Sequence, residues 1–218
     1  MISMAGTFIS FEGPDGAGKT SVIKAVNEAL GNQLGAEQVL LTREPGGDRI
    51  AEQIRDVLFD DQNTNMDSRT EALLFAAARR QHVVQDIKPA LHEGKVVLSD
   101  RYVDSSVAYQ GGGRHLGIDD IWELNEFAIH DLLPALTIYL DVPSELGLQR
   151  INEHRADQVN RLDREKLAFH RRVRQAFLTL AKRHPHRIVV IDASAELTTV
   201  IQEVESLIHS RFPALLPK

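Results

Sequence analysis

Gly13-Pro14-Asp15-Gly16-Ala17-Gly18-Lys19-Thr20 follows the short apolar run Thr7-Phe8-Ile9-Ser10-Phe11 and precedes Val22, Ile23, Val26, Ala29 and Leu30 at helical spacing. The octet fits G-x-x-x-x-G-K-[ST] and stands between a predicted strand and a predicted helix, as that pattern requires. Glycines allow backbone N–H groups to turn inward around phosphate oxygens, and the helix N-terminus adds partial positive charge. Lys19 supplies a point charge for the β- and γ-phosphates, and the Thr20 hydroxyl suits Mg²⁺. At average residue frequencies the pattern arises by chance at roughly 1 in 25,000 positions, so an incidental match is a poor explanation. All eight residues are therefore read as the binding loop for ATP or a related triphosphate.

Working outward, short apolar runs alternate with longer helical patterns. Val39-Leu40-Leu41-Thr42, Val96-Val97-Leu98-Ser99, Leu136 to Val142 and Ile188 to Ile191 read as four further strands. Ile50, Ile54, Val57 and Leu58 mark one helix. Ser68-x-x-Glu71 has the form of a capping box opening a long Ala-rich helix that should end near Pro89 and Gly94. A last amphipathic helix carries Val200, Ile201, Val204, Leu207 and Ile208. Strands too apolar to own a wet face, alternating with helices, indicate a parallel sheet covered on both sides. The expectation is an α/β P-loop fold of three layers with a five-stranded parallel sheet.

The chain has 218 residues, with no Pro/Gly/Ser linker and no internal repeat, so residues 1–218 read as one domain. Its 43% hydrophobic content can fill a core. Net charge is −6, which argues against a general nucleic-acid binder or a membrane-surface module. With no cysteine there is no disulfide framework, cysteine zinc site or thiol nucleophile. The start of the chain lacks a secretory pattern and no window is apolar enough to span a bilayer, so a cytoplasmic location is expected. The nine histidines show no metal-ligand spacing, and His184-Pro185-His186 reads as a surface turn. One stretch is not apolar-periodic: His154 to Arg164 is polar and Arg-rich, and residues 153–164 read as a mobile lid.

A P-loop alone leaves kinases, GTPases, motors and non-catalytic nucleotide switches open. The Asn-Lys-x-Asp guanine reader is absent, Asn160-Arg161-Leu162-Asp163 being only a distant imitation, and one small domain leaves little room for a motor. A small-substrate kinase is favoured. Its rival from another class is a switch that binds ATP without turnover.

A second cluster narrows the choice. Asp100-Arg101-Tyr102-Val103-Asp104-Ser105-Ser106-Val107-Ala108-Tyr109-Gln110 resembles the signature of thymidylate kinases, Thr42-Arg43-Glu44-Pro45-Gly46-Gly47 resembles a second segment of that family, and Phe8 to Thr20 its first. With matching order and spacing the resemblance runs from about residue 7 to 192. It implies a homodimer that transfers a phosphoryl group from ATP to dTMP with Mg²⁺. A kinase for another nucleoside monophosphate is the alternative.

The chemistry asks for similar residue types. The acceptor is an anionic phosphate monoester, so no general base is needed; the obstacle is joining two polyanions, and arginines answer it. By the resemblance, Arg101 and Arg43, each just past a strand, hold the acceptor phosphate, with Arg55 assisting. Asp100 takes the place of a Mg²⁺-organising carboxylate together with Thr20. Asp15 matches a carboxylate for the sugar 3′-hydroxyl, and Glu44 orients metal water or sugar. Phe75 and Arg79, four apart on one helix face, match the family's pair that stacks on thymine and donates to its O4. Ser106 and Gln110, also four apart, are expected to read the remaining base edge, and Tyr109 to crowd a ribose 2′-hydroxyl. The sequence departs from the family pattern twice. Asp48 replaces a common threonine, which leaves any hydroxyl contact there in doubt. Gly16 stands where one branch of the family has arginine, so Arg155 and Arg161 of the polar stretch are expected to neutralise the transferring group instead.

Overall fold

A computed structural model describes residues 6–154 and 165–216. Its five strands are β1 (Thr7–Glu12), β2 (Val39–Arg43), β3 (Val96–Asp100), β4 (Leu136–Asp141) and β5 (Ile188–Asp192). All neighbours run parallel, in the order β2-β3-β1-β4-β5. Parallel neighbours need crossovers, and helices supply them on both faces.

The period-2 alternation of the strands feeds two cores. Phe8, Val97 and Tyr139 point to one face, packed with Tyr102, Val173 and Phe177. Ile9, Phe11, Leu98, Ile138 and Leu140 point to the other, under α1 (Lys19–Leu34) and the last helix. Every strand residue of β1 after Thr7 is buried, which is why the run carries no polar alternation.

The helices after α1 are α2 (Arg49–Phe59), α3 (Ser68–His82), α4 (Lys88–His92), α5 (Val103–Ser106), α6 (Ile118–Ile129), α7 (Ser144–His154), α8 (Leu167–Arg183) and α9 (Leu197–Arg211). A π-helical turn, Val83–Ile87, joins α3 to α4 without a break. It ends two residues before Pro89, whose missing N–H and ring demand room in the preceding turn. Gly94 then closes the run, as expected. The capping box is a correction. Asp67 caps α3, accepting from the N–H groups of Arg69 and Thr70, so Ser68 is already helical. That places Glu71 one residue beyond the capping position, and it turns inward and is buried.

Register sets the site. Phe11 and Arg43 both lie level with Asp100, so β1, β2 and β3 release their chains side by side at one edge of the sheet. β1 is also where the order reverses, with β3 on one flank and β4 on the other, the crevice where open α/β sheets bind ligands. No described helix is long and apolar enough to cross a membrane.

Candidate active site

The loop after β1 wraps the start of α1. Lys19, in the first turn, is buried and folds back, its Nζ donating to the carbonyls of Gly13 (3.1 Å) and Pro14 (3.0 Å). Burial, reinforced by the nearby Arg101 charge, lowers its pKa to about 8. Gly16 has φ +79°, and a Cβ there would lie 2.2 Å from the Gly147 carbonyl oxygen of α7. Only glycine lets α7 approach the loop so closely.

Beside the loop, Asp100 at the end of β3 accepts the Thr20 hydroxyl on Oδ2 at 3.4 Å, while its buried Oδ1 has no hydrogen-bond partner. A carboxylate with an unpartnered oxygen next to a hydroxyl is a hard oxygen pair, which fits Mg²⁺ completed by phosphate and water. Among the described residues no group of three His, Asp or Glu could hold a metal by itself.

Arg101 follows in left-handed conformation, φ +73°. Three bonds hold this turn: its N–H donates to Phe11 O (2.9 Å), its carbonyl accepts from Ser99 Oγ (2.7 Å), and the next N–H, Tyr102's, donates to Glu12 Oε1 (2.7 Å). The other Glu12 oxygen accepts from Ser105 Oγ at 2.5 Å, and Ser105 in turn accepts from Arg101 Nη1 at 3.1 Å. Burial, helped by Asp104, raises the Glu12 pKa to about 8. Arg101 Nη2 pairs with Asp15 at 2.7 Å, and the Tyr109 hydroxyl donates to the second Asp15 oxygen at 2.9 Å. Burial keeps the Tyr109 hydroxyl protonated, well above its usual pKa. The residues expected to meet phosphate and sugar thus hold one another before any ligand arrives. Arg43 pairs with Glu52 at 3.0 Å and is half exposed, and Arg55 donates to Pro45 O at 2.8 Å over the Phe59 ring.

Deeper in, Arg79 is buried. Its Nε donates to Glu44 (2.6 Å), Nη1 to Ser106 (3.0 Å) and to Asn125, and Nη2 to Tyr102 O (3.1 Å). A guanidinium has five N–H donors, so one Nη2 hydrogen remains for a ligand. Glu44 also meets His82 Nδ1 at 3.1 Å, so its carboxylate faces α3 and holds Arg79 in place. Phe75, one turn before Arg79, packs edge-to-face on Phe59. Asp48 caps α2 by accepting from the N–H groups of Ile50 and Ala51, a task a threonine hydroxyl could also perform.

One cleft of about 210 Å³ joins these groups. Asp15, Arg43, Glu44 and Arg55 line it from the phosphate loop, the end of β2 and α2, Phe75 and Arg79 from α3, and Arg101, Ser106, Tyr109 and Gln110 from the segment after β3. Lys19, Thr20 and Asp100 form its other end. All ten residues expected to touch the acceptor therefore share one space with the triphosphate loop. Arg155 and Arg161 lie outside the described residues.

Comparison with known proteins identifies the family. A family model described as thymidylate kinase matches residues 11–204. The chain belongs to the thymidylate kinase family. It is 65% identical over 212 residues to the thymidylate kinase of Limosilactobacillus reuteri (strain DSM 20016), covering 97% of this chain and all of that one. It is 59% identical over 201 residues to that of Pediococcus pentosaceus, covering 92% and 96%. The crystal structure of thymidylate kinase from Ehrlichia chaffeensis superposes with a TM-score of 0.76 at 37% identity, covering 93% of this chain and 98% of that one. Further residues complete the cleft in this member of the family; Glu12 and Ser105 lie inside the quoted segments, whereas Phe59, His82 and Asn125 carry no local signal. Phe59 and Ser105 line it, while Glu12, Asn125 and His82 support its walls through partners 38 to 90 positions away.

Proposed function

We propose that this chain transfers the γ-phosphoryl group of ATP to dTMP, giving dTDP and ADP in dTTP biosynthesis. The observation that carries the reading is the single cleft running from Lys19 and Thr20 to Arg101, Phe75 and Arg79. It joins a donor-phosphate cradle to acceptor-side arginines, an aromatic face and a buried arginine in one space.

A phosphate oxygen of dTMP attacks the γ-phosphorus, and the bond to the β–γ bridging oxygen breaks, leaving its electron pair on ADP. The nucleophile is already an anion, so no proton need move. Lys19 binds the β- and γ-phosphates, exchanging its two carbonyl contacts for phosphate oxygens. Arg101, Arg43 and Arg55 bind and orient the acceptor phosphate; Asp15, released from Arg101, takes the 3′-hydroxyl; Tyr109 closes the 2′ position. Phe75 stacks on the base while Arg79 and Gln110 meet its edge. Thr20 and Asp100 would hold Mg²⁺, which when bound offsets charge between the two nucleotides. The part assigned to Arg155 and Arg161, neutralising the transferring group, rests on the sequence; their double alanine variant should lose most of kcat while keeping dTMP affinity.

The reading includes one domain over residues 1–218, a homodimer and a cytoplasmic setting without nucleic-acid or membrane partners. Its test is ADP release with dTMP, dUMP, dCMP, dGMP and dAMP. The highest kcat/KM should belong to dTMP; another best acceptor makes this a different monophosphate kinase, and ATP binding without turnover on any of them makes it a switch.

A further inference from the structure

Glu71, Phe75 and Arg79 recur every fourth residue of α3 and share one face. Phe75 and Arg79 line the cleft; Glu71, 1% exposed, lies behind Gln110. Its Oε1 accepts from Gln110 Nε2 at 2.9 Å and from Arg114 Nε at 3.3 Å, and its Oε2 accepts from Arg114 Nη2 at 3.3 Å. Arg114 is itself fixed by Glu165 and by the Phe169 ring, 5.0 Å away.

This arrangement removes an ambiguity that a glutamine ordinarily keeps. An amide can offer either its N–H or its oxygen to a base. Both Glu71 oxygens accept from Arg114, and a carboxylate so engaged offers Gln110 only an acceptor. The Gln110 nitrogen must therefore face Glu71. Its Oε1, which accepts no hydrogen bond among the described residues, is left for the cleft that Gln110 lines. Arg79, which lines the same cleft, retains one N–H. The wall so carries both a donor and an acceptor. Thymine and uracil match it with O4 and N3–H, whereas cytosine offers the reverse, an amino group and an unprotonated N3.

We infer that Glu71 is a positioning residue for base choice: by fixing the Gln110 amide it makes the site accept from N3–H and disfavour cytosine. The inference rests on the cleft being the acceptor's base site, as proposed above. In Glu71→Gln the residue at 71 can donate as well as accept, so Gln110 is free to turn its nitrogen toward a ligand. The ratio of kcat/KM for dTMP over dCMP should then fall tenfold or more, largely through gained use of dCMP, while Arg79 keeps the order uninverted. A purely structural role would lower both substrates together and leave the ratio unchanged, and that result, in a folded variant whose parent prefers dTMP, overturns the inference alone. A parent that uses dCMP as well as dTMP overturns the base-site reading with it. Where Glu71→Gln does not fold, dTMP methylated at N3 tests the unaltered protein: a tenfold or greater loss of kcat/KM is expected, and equal use of both nucleotides overturns the inference.

Discussion

Lys19 carries a measurable mark of its surroundings. Its ammonium is desolvated among backbone carbonyls, with a pKa near 8. The charged form persists below that value and is lost as pH rises through it. Because kcat/KM reports ionisations of the free enzyme, its value for ATP should fall on the alkaline side with an apparent pKa near 8. A flat profile to about pH 9.5 would remove Lys19 from donor binding. Glu12 titrates in the same range with a different consequence. Its folded pKa, about 8 against 4.5, means the native state holds the proton more tightly than the unfolded chain. The stability it adds is complete below about 4.5 and lost as pH rises through about 8. Glu12→Gln cannot ionise, so its Tm relative to wild type should climb between those values; parallel Tm–pH curves would contradict the assignment. These two residues differ in legibility for a physical reason. Lys19 announces itself because the phosphate loop is contiguous in sequence, whereas Glu12 acts on Tyr102 and Ser105 across the sheet, and no local spacing encodes that pairing.

At the scale of elements, the strands and most helices were readable because apolar period follows burial directly. The start of α3 was not. Ser68 and Glu71 satisfy the capping pattern, but Asp67 precedes them and takes the cap, and one residue of shift rotates Glu71 from the helix end to the inner face. Tertiary partners Gln110 and Arg114 then complete a role the pattern could not express. The contact between α7 and the phosphate loop shows a similar limit. Sequence marks Gly16 as a missing arginine; the structure gives the steric cause in the Gly147 carbonyl and the left-handed backbone. Arg150, also in α7, further ties this corner together by donating to Ala193 O at 2.8 Å. Gly16→Arg should therefore not supply a useful loop arginine. It forces a side chain into a left-handed position, at about 1–2 kcal/mol before any clash is counted. Calorimetry should show a Tm lower by several degrees, with kcat/KM for ATP reduced. An unchanged Tm with raised kcat would mean that α7 yields easily and that the loop tolerates the other branch's solution.

Across the whole molecule, the two cores explain the sheet and the cleft but leave several apolar side chains in water. Phe127 on α6 is 88% exposed and Leu73 on α3 is 56% exposed, although the helices that carry them are joined by buried bonds such as Arg79 to Asn125. Ile50 and Val57 on α2, which packs against α3, are exposed as well. Single exposed apolar residues are ordinary; a phenylalanine in open water, with more exposed apolar residues on α3 and α2, suits the interface of the proposed homodimer. The base-reading residues Phe75 and Arg79 lie on the opposite, buried side of α3, so a partner against its outer face would stiffen the helix that holds them. A second copy is the occupant that the proposed homodimer supplies. Sedimentation equilibrium should give twice the monomer mass for wild type and the monomer mass for Phe127→Glu, because burying one carboxylate per protomer at a shared apolar contact is costly. The variant should also show a higher KM for dTMP than its parent, through the loosened α3, with ATP less affected. A wild-type protein that sediments as a monomer at micromolar concentration, with full activity, would assign these apolar residues to some other partner and end the homodimer reading.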